Sequence, residues 1–369
     1  MTQVNGQQHT DSLVQSTTPP TDSSLQSTMQ HKDASLQSDT PHTDPKLNLQ
    51  ANQASGMFHL PPTKAQRNIK NTDRFARGCF TVAGWLAGLM IILIFFFVAS
   101  RGIRVFLPSY GAEQQNIWDF LLGMRWRADN QVYGVAFIIV NTLVSAFGAA
   151  LLSFPLSVVT ALMITRMAPP RVGTLLTTVV EVLASIPSVV FGVFASAVIT
   201  RFVDSLAGLF GQTTAGGNAM LTTMILLAMM IFPTMTDIAI VAIQAVPDSL
   251  IQASLAVGAT TMQTNYKMIL RAARSGIFSG LVLGLGRAFG EATAVSMVAG
   301  NAYTGPSVNL FESTRTLTST MLTGLKETTG LDYDIRFSVG IVLMILILIT
   351  NSMIFLIKRK VGGGSEHEQ

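Results

Sequence analysis

The sequence predicts an all-α integral membrane protein with about six transmembrane helices behind a disordered N-terminal tail. Of its 369 residues, 49% are hydrophobic and only 12% are charged, and the mean hydropathy is +0.45. Several apolar stretches are long enough to cross the hydrocarbon core, which takes about 20 helical residues. One cysteine and no histidine between 60 and 366 exclude a disulfide framework and a Cys/His metal cluster from the membrane part.

Residues 1–63 form the predicted disordered tail. The first 57 residues contain no Phe, Trp, Tyr or Ile and are rich in Gln, Ser, Thr and Asp. Such a segment buries too little apolar surface to offset the entropy of the chain. A Ser-Leu-Gln-Ser unit recurs at 24–27 and 35–38, and one leucine per copy is too little for a packed repeat. No apolar core with a small-residue cleavage site opens the chain, so we expect no cleaved signal peptide.

Six apolar stretches predict the transmembrane helices. The first is uncharged and gives about 31 Å of helix at about 1.5 Å per residue, enough for one crossing. Because proline removes a helix hydrogen bond, we expect Pro187 and Pro233 to interrupt the third and fourth helices. The six stretches are 80–100, 135–163, 173–199, 219–246, 276–300 and 337–357.

The lysines and arginines predict how the helices are oriented. Five basic residues lie within 64–77, before the first span, and three lie within 358–360, after the last. With the loops that this orientation places inside, thirteen basic residues lie near the inner face and eight lie in the outer loops. We therefore expect both termini to be cytoplasmic. Because these residues set topology, the net charge of +4 gives no reason to expect a nucleic-acid partner.

The segment 247–275, between the fourth and fifth spans, carries a helical pattern of its own. Asp248 and Ser249 offer a helix N-cap, and Gly258 permits a sharp turn before a second short helix. Two short helices with an apolar face suit a groove on a partner protein, and the alternative is an inert loop on the bilayer surface. The apolar positions predicted for one face of the second helix are Met262, Tyr266 and Ile269.

Glycine patterns indicate packing and give no sign of a nucleotide site. No Gly-x-x-x-x-Gly-Lys-Ser/Thr loop occurs, so we expect any nucleotide to bind on another chain. Two Gly-xxx-Gly pairs in the fifth span predict close helix approach in lipid. The pairs are Gly280 with Gly284 and Gly286 with Gly290.

Three motifs follow one another along the chain: Ile-Pro-Ser-Val-Val-Phe-Gly at 186–192, Gln-Ala-Ser-Leu-Ala-Val-Gly-Ala at 252–259 and Gly-Arg-Ala-Phe-Gly-Glu at 286–291. The second resembles the EAA loop of membrane subunits in type I ABC importers. The other two resemble the phosphate branch of that family, the PstC type. The resemblance covers about 133–358. The loop departs from the family pattern because Gln252 replaces Glu, Ser254 replaces Ala, and Arg271 stands where proline usually follows leucine.

The resemblance implies a type I ABC importer permease fold in a bacterial cytoplasmic membrane. It places the basic segment, first helix and outer loop at 64–132, the transport domain at 133–358, and a cytoplasmic tail at 359–369. It also implies a PstA-like permease, an ATPase dimer and an extracytoplasmic phosphate-binding protein as partners, with ATP and Mg bound on the ATPase. The residues it implies for ATPase coupling are Gln252, Ala253, Ser254, Gly258 and Ala259.

Arg287 and Glu291 are the candidate substrate-path residues of the fifth span. We expect Arg287 near the bilayer midplane, about eleven residues past Gly276, with Glu291 one turn later on the same face. An arginine in hydrocarbon costs at least about 2.5–3.5 kcal/mol, so both must face protein or water. One interpretation is a structural salt bridge; the other is that Arg287 offers its donor fork to a passing oxyanion while Glu291 limits how tightly it binds. Glu181 and Asp237 are weaker candidates, with local hydrogen bonding as the alternative.

These observations predict a membrane permease subunit of an ATP-driven phosphate importer, with no catalytic residues, metal site or cofactor of its own. One alternative is a permease for another oxyanion or a small polar solute. Another is a channel or scaffold that works without an ATPase. The patterned segment 247–275 favours the transporter, because a channel has no need of two exposed helices there.

Overall fold

The structure is a computed structural model that describes residues 64–307 and 309–362. The predicted disordered tail, with its repeats, and residues 363–369 of the predicted C-terminal tail lie outside the described residues. Residues up to Gly84 belong to one unit, of which the structure describes the beginning of the first helix. Residues from Trp85 onward form a second unit that holds all the other described elements.

Helices make up most of the described chain, and a two-residue antiparallel hairpin, β1 (Trp126–Arg127) and β2 (Val132–Tyr133), is its one small sheet. Turns of π-helix extend α3, join α5 to α6, and precede α10. In chain order the α-helices are α1 (Lys64–Arg104), α2 (Ile117–Leu122), α3 (Ala136–Leu162), α4 (Pro170–Ser185), α5 (Ser188–Phe194), α6 (Thr200–Leu209), α7 (Met220–Gln244), α8 (Asp248–Ala256), α9 (Thr261–Gln263), α10 (Leu270–Gly290), α11 (Thr293–Val298), α12 (Leu317–Leu322) and α13 (Leu331–Gly362).

Six helical runs in the described chain are long and apolar enough to cross a membrane, which confirms the predicted number. The third and fifth runs differ most from their predicted bounds, 173–199 and 276–300. The third begins only at Ser188, because Pro187 separates α4 from α5. The fifth is displaced in the opposite direction. It begins well before position 276, because the helix that follows the turn at Gly258 continues into α10 without a break. The runs are Phe75–Arg104, Ala136–Met167, Ser188–Leu209, Met220–Gln244, Thr261–Gly290 and Leu331–Leu356.

The two prolines that were expected to interrupt helices behave differently. Pro187 separates α4 from α5, as predicted, and the preceding Ile186 has an extended backbone. The prediction for Pro233 is wrong, because α7 runs straight through it. Pro233 is buried where α7 packs between α3 and α10, and the Ser157 hydroxyl of α3 donates to the carbonyl of Phe232 at 3.2 Å. This packing offsets the cost of about 3 kcal/mol that an interior proline carries.

Close contact between α7 and α10 depends on one of the two predicted glycine pairs. A Cβ on Gly280 would lie 3.3 Å from both the Cβ of Ile238 and the carbonyl oxygen of Met235, and one on Gly284 would meet the Met235 side chain. The packing role of this pair is therefore confirmed. A Cβ on Gly286 or Gly290 would meet no described atom within 4 Å, so the second pair does not pack within this chain.

The segments that connect the helices at one end of the bundle form a buried layer. The Trp126 N–H donates to the carbonyl of Tyr303 at 2.8 Å, which joins the hairpin to the loop 299–316. The Trp126 and Tyr133 rings stack edge to face with centroids 5.1 Å apart, and both residues are buried with Phe120. This layer holds the loop 299–316 over the end of α11.

Candidate functional site

Helix α10 ends at Gly290, where the sequence had predicted one continuous span to position 300. Glu291 has φ −76° and ψ 113°, and a separate short helix, α11, begins two residues later. Two contacts hold this break. The Glu291 carbonyl accepts a hydrogen bond from the Thr318 hydroxyl at 2.8 Å, and the Glu291 Oε1 accepts from the Ala294 N–H at 2.9 Å. The carboxylate therefore binds the first turn of α11, where a negative charge is favourable.

Arg287 lies in the last turn of α10 and is half-buried. Its Nη1 donates to the Thr234 hydroxyl of α7 at 2.9 Å. A threonine hydroxyl is neutral, so this bond orients the guanidinium without cancelling its charge. The remaining donors of the guanidinium bond no residue in the described chain.

The expected pairing of Arg287 with Glu291 on one helical face is wrong, because Glu291 has left the helix. Among the described residues, Arg101 pairs with Asp334 and Arg336 with Asp332 within 4.0 Å, and neither pair includes Arg287 or Glu291. The salt-bridge interpretation of Arg287 and Glu291 thus has no geometric support. The structure brings the two residues to the same break but gives each a different neighbour.

Gly192, to which the sequence assigned no individual role, contacts α11, the helix that follows the break. Gly192 of α5 packs on α11, since a Cβ there would lie 3.0 Å from the Cα of Ala294 and 2.7 Å from the Met297 sulfur. Gly192 ends the first of the three motifs, and Glu291 ends the third. The order of the motifs gave no sign that α11 would bring them together.

The predicted coupling segment does contain two helices joined by a turn at Gly258. Gly258 has φ +86°, in the left-handed region that favours glycine, and a Cβ there would meet no described atom within 4 Å. Thr260 caps the second helix through a reciprocal bond pair with Gln263. The hydroxyls of Ser254 and Thr264 lie 2.9 Å apart and connect the two helices.

The predicted cap at Asp248 and Ser249 is wrong. The N-cap position of α8 is Pro247, which has no side-chain hydrogen bond, and Asp248 lies in the first turn. The negative charge of Asp248 in the first turn is still favourable at a helix N-terminus. Of the other predicted coupling residues, Gln252 and Ala253 are exposed and Ala259 is half-buried.

An apolar surface covers this turn, and we refer to it as the coupling surface. Its most exposed member is Val257, at 85%. Of the three apolar residues predicted for one face of the second helix, Met262 and Tyr266 are exposed, whereas Ile269 is buried among α3, α7 and α10. The exposed large apolar side chains of the coupling surface are Leu250, Leu255, Val257, Met262 and Tyr266.

The other intramembrane acids lie away from the break. Glu181 is exposed on α4, and Asp237 is half-buried on α7. Across 64–307 and 309–362, no group of three or more His, Cys, Asp or Glu side chains is placed to hold a metal ion. The expectation that ATP and Mg bind on another chain stays a prediction.

Comparison with known proteins identifies the family. The family model described as "Binding-protein-dependent transport system inner membrane component" matches residues 153–363. The probable ABC transporter permease protein YqgH of Bacillus subtilis (strain 168) is 32% identical over 259 residues, covering 69% of this chain and 81% of that protein. The phosphate transport system permease protein PstC of Pasteurella multocida (strain Pm70) is 27% identical over 289 residues, covering 73% of this chain and 90% of that protein.

A solved structure has the same fold. It is a chain of a bacterial alginate ABC transporter in complex with an alginate pentasaccharide-bound periplasmic protein. The match has a TM-score of 0.53 at 18% identity and covers 78% of this chain and 98% of that chain. Together with the six apolar helices, the match of the family model shows that this multi-pass membrane chain belongs to the binding-protein-dependent transport system inner membrane component family and is a permease subunit of an ABC importer.

Proposed function

We propose that this permease subunit imports inorganic phosphate and that Arg287 contacts the anion as it crosses. The observation that carries the proposal is a half-buried guanidinium that one neutral hydroxyl orients and that no carboxylate in the described chain neutralises. A planar donor fork of this kind suits a tetrahedral oxyanion, which accepts paired charge-assisted hydrogen bonds. The similarity to PstC proteins over most of the chain supports phosphate as that oxyanion.

Glu291 has a different part in the proposal. The Glu291 Oε1 accepts a hydrogen bond from the first turn of α11. The carboxylate is therefore held near the break and does not move along the transport path. A fixed negative charge close to Arg287 lowers the local positive potential. The anion is then bound weakly enough to leave, which transport requires.

The coupling surface is the proposed contact with a partner ATPase. Exposed apolar side chains on two short helices suit a groove on another protein. ATP and Mg belong to that ATPase, a PstA-like permease completes the path, and a phosphate-binding protein delivers the anion outside. Since Gln252 has no charge where the family pattern has Glu, the contact relies on shape and apolar area.

The proposed location is a bacterial cytoplasmic membrane with both termini inside. The coupling surface then faces the cytosol, and the loop 299–316 faces outward. The predicted division of the chain at 64, 133 and 359 fits this topology. A permease for another oxyanion is the second candidate, because the guanidinium of Arg287 would receive any tetrahedral anion of similar size.

The test measures uptake of labelled phosphate against the abundance of assembled complex. We expect Arg287→Gln to abolish uptake while the complex still assembles, and Arg287→Lys to keep a small part of it, because lysine retains charge without the fork. Adding Glu291→Gln to Arg287→Gln should not restore uptake. Recovery in the double variant would mean that the two residues only balance each other, and uptake of sulfate in preference to phosphate would favour the second candidate.

A further inference from the structure

The loop 299–316 contains a buried arginine that has no acidic partner in the described chain. Arg315 is 6% exposed, and its Nε and Nη2 donate to the carbonyls of Ala302 and Asn301, each at 2.8 Å. Its Cζ lies 5.6 Å from the ring centroid of Tyr303. These neighbours orient the guanidinium and leave its charge uncompensated.

Arg336, on α13, shows what a compensated arginine looks like in the same protein. It is 7% exposed, its Nη2 lies 3.4 Å from the Asp332 carboxylate, and its other nitrogens donate to the carbonyls of Asp332, Thr320 and Thr323. Arg315 has two carbonyl partners and no carboxylate. The pKa of Arg315 is lowered to about 10, chiefly by burial; the Tyr303 phenol opposes this shift and the positive charge of Arg336 adds to it.

Polar atoms around Arg315 also lack partners. Its Nη1 makes no hydrogen bond to a described residue. The buried Thr314 hydroxyl, which can donate to an anion, has no hydrogen-bond partner within the described chain. A buried polar group without a partner is costly, so such a group at a native site calls for an explanation. An anion at Nη1 would supply the missing negative charge.

The fold places Arg315 at the opposite end of α11 from Glu291. The two carbonyls that accept from Arg315 come just after the last turn of α11. The helix itself is about 9 Å long at about 1.5 Å per residue. Thr318, three residues after Arg315, bonds the Glu291 carbonyl. Arg315 therefore lies near the C-terminal end of α11, and Arg287, in the last turn of α10, precedes its N-terminal end.

We infer that Arg315 is a second anion-contact residue, which receives the phosphate oxyanion at the outer end of α11 before Arg287 does. The inference rests on the proposed function for the direction of transport and for phosphate as the substrate. Tyr303 is 63% exposed and its ring lies against the guanidinium, so in this proposal the Tyr303 side chain turns aside to admit the anion. The contact is a charge-assisted hydrogen bond, and an arginine fork recognises the tetrahedral anion by geometry as well as by charge.

The experiment compares a Tyr303→Trp variant of the full chain, purified in its complex, with the same complex that keeps Tyr303, so that the signal of all other tryptophans, including buried Trp126, is subtracted. Indole fluorescence is followed during titration with inorganic phosphate, and chloride at matched ionic strength serves as the control. We expect a saturable response to phosphate alone, lost in Arg315→Gln and kept in Arg287→Gln. If the phosphate response equals the chloride response, or persists in Arg315→Gln, the inference is wrong. An equal response to phosphate and chloride would refute the inference even if the Arg315→Gln complex does not assemble.

Uptake by the same variants separates a contact role from a structural one. Loss of one charge-assisted hydrogen bond, typically about 1.5–3 kcal/mol, corresponds to at least about a tenfold fall in transport for Arg315→Gln at unchanged complex abundance. Arg315→Lys should recover part of that loss. Arg336→Gln is the matched control, and we expect it to reduce complex abundance instead.

If Arg315→Gln lowers abundance and uptake in equal proportion, Arg315 only holds its loop. If the native complex takes up no phosphate at all, the proposed function fails, whatever the fluorescence shows.

Discussion

The turn at Gly258 and the break at Glu291 both interrupt a helical path, yet only the first could be predicted. At Gly258 the signals are local: a glycine with φ +86° and a capping Thr260 two positions later. At Glu291 the helix ends without glycine in the left-handed region and without proline. Residues distant in the sequence hold that break, among them Thr318 through its hydroxyl and Gly192 through its close backbone contact with α11.

The difference indicates what each interruption is for. A turn encoded by its own residues keeps its shape whatever surrounds it, which suits a surface that docks on another protein. A break held by tertiary contacts depends on how the neighbouring helices sit, so its geometry follows their movement. We therefore expect substitutions at the turn to affect coupling alone, and substitutions at the break to affect stability and transport together.

The largest expected effect is at the turn. Gly258→Asp should leave assembly intact and reduce ATP-driven phosphate uptake to near background, because it places a charge on the coupling surface and a side chain in a left-handed backbone. Aspartate and asparagine both tolerate the left-handed conformation better than most residues do, so the charge is the main change. The measurement is uptake together with ATPase activity of the reconstituted complex, and ATP hydrolysis that continues without uptake would show uncoupling.

Gly258→Asn provides the matched control. Asparagine tolerates the left-handed conformation, has nearly the shape of aspartate and carries no charge. We expect it to keep most of the uptake. If Asn and Asp variants are equally active and close to the native protein, the ATPase contact lies elsewhere on the chain.

The rest of the molecule follows the same division between local and distant causes. The number of spans could be predicted from hydropathy, and the close approach of α10 to α7 from Gly280 and Gly284. The continuity of α7 through Pro233 could not, because it depends on packing between two other helices. For the same reason the sequence indicated that Arg287 matters but not that Thr234 would orient it, since the two are 53 positions apart.

An intermediate effect is expected where α5 meets α11. Gly192→Ala would bring a methyl group to 3.0 Å from the Ala294 Cα, and overpacking of this kind typically costs about 1–3 kcal/mol. We expect a lower thermal midpoint of the purified complex and reduced uptake. Gly286→Ala is the control: a Cβ there would meet no described atom within 4 Å, and alanine favours helix over glycine. If Gly192→Ala is as stable as Gly286→Ala, α11 is not held by α5.

The smallest effect is expected at Glu291, and it asks whether the carboxylate acts through its bond or its charge. Glu291→Gln keeps an oxygen that can accept from the Ala294 N–H, whereas Glu291→Ala removes it at a cost of about 1 kcal/mol, the usual value of a helix cap. At an unfolding entropy of about 2.1 cal/mol/K per residue, that corresponds in a chain of 369 residues to a fall of roughly 1 °C in the thermal midpoint. We expect Glu291→Ala to show this fall and Glu291→Gln to match the native midpoint, because the bond survives.

Since Glu291→Gln keeps the bond and loses the charge, slower phosphate release at an unchanged midpoint would assign the charge to transport. If release and midpoint are both unchanged, Glu291 serves only to start α11, and the break differs from the turn at Gly258 in how it is held but not in what it does.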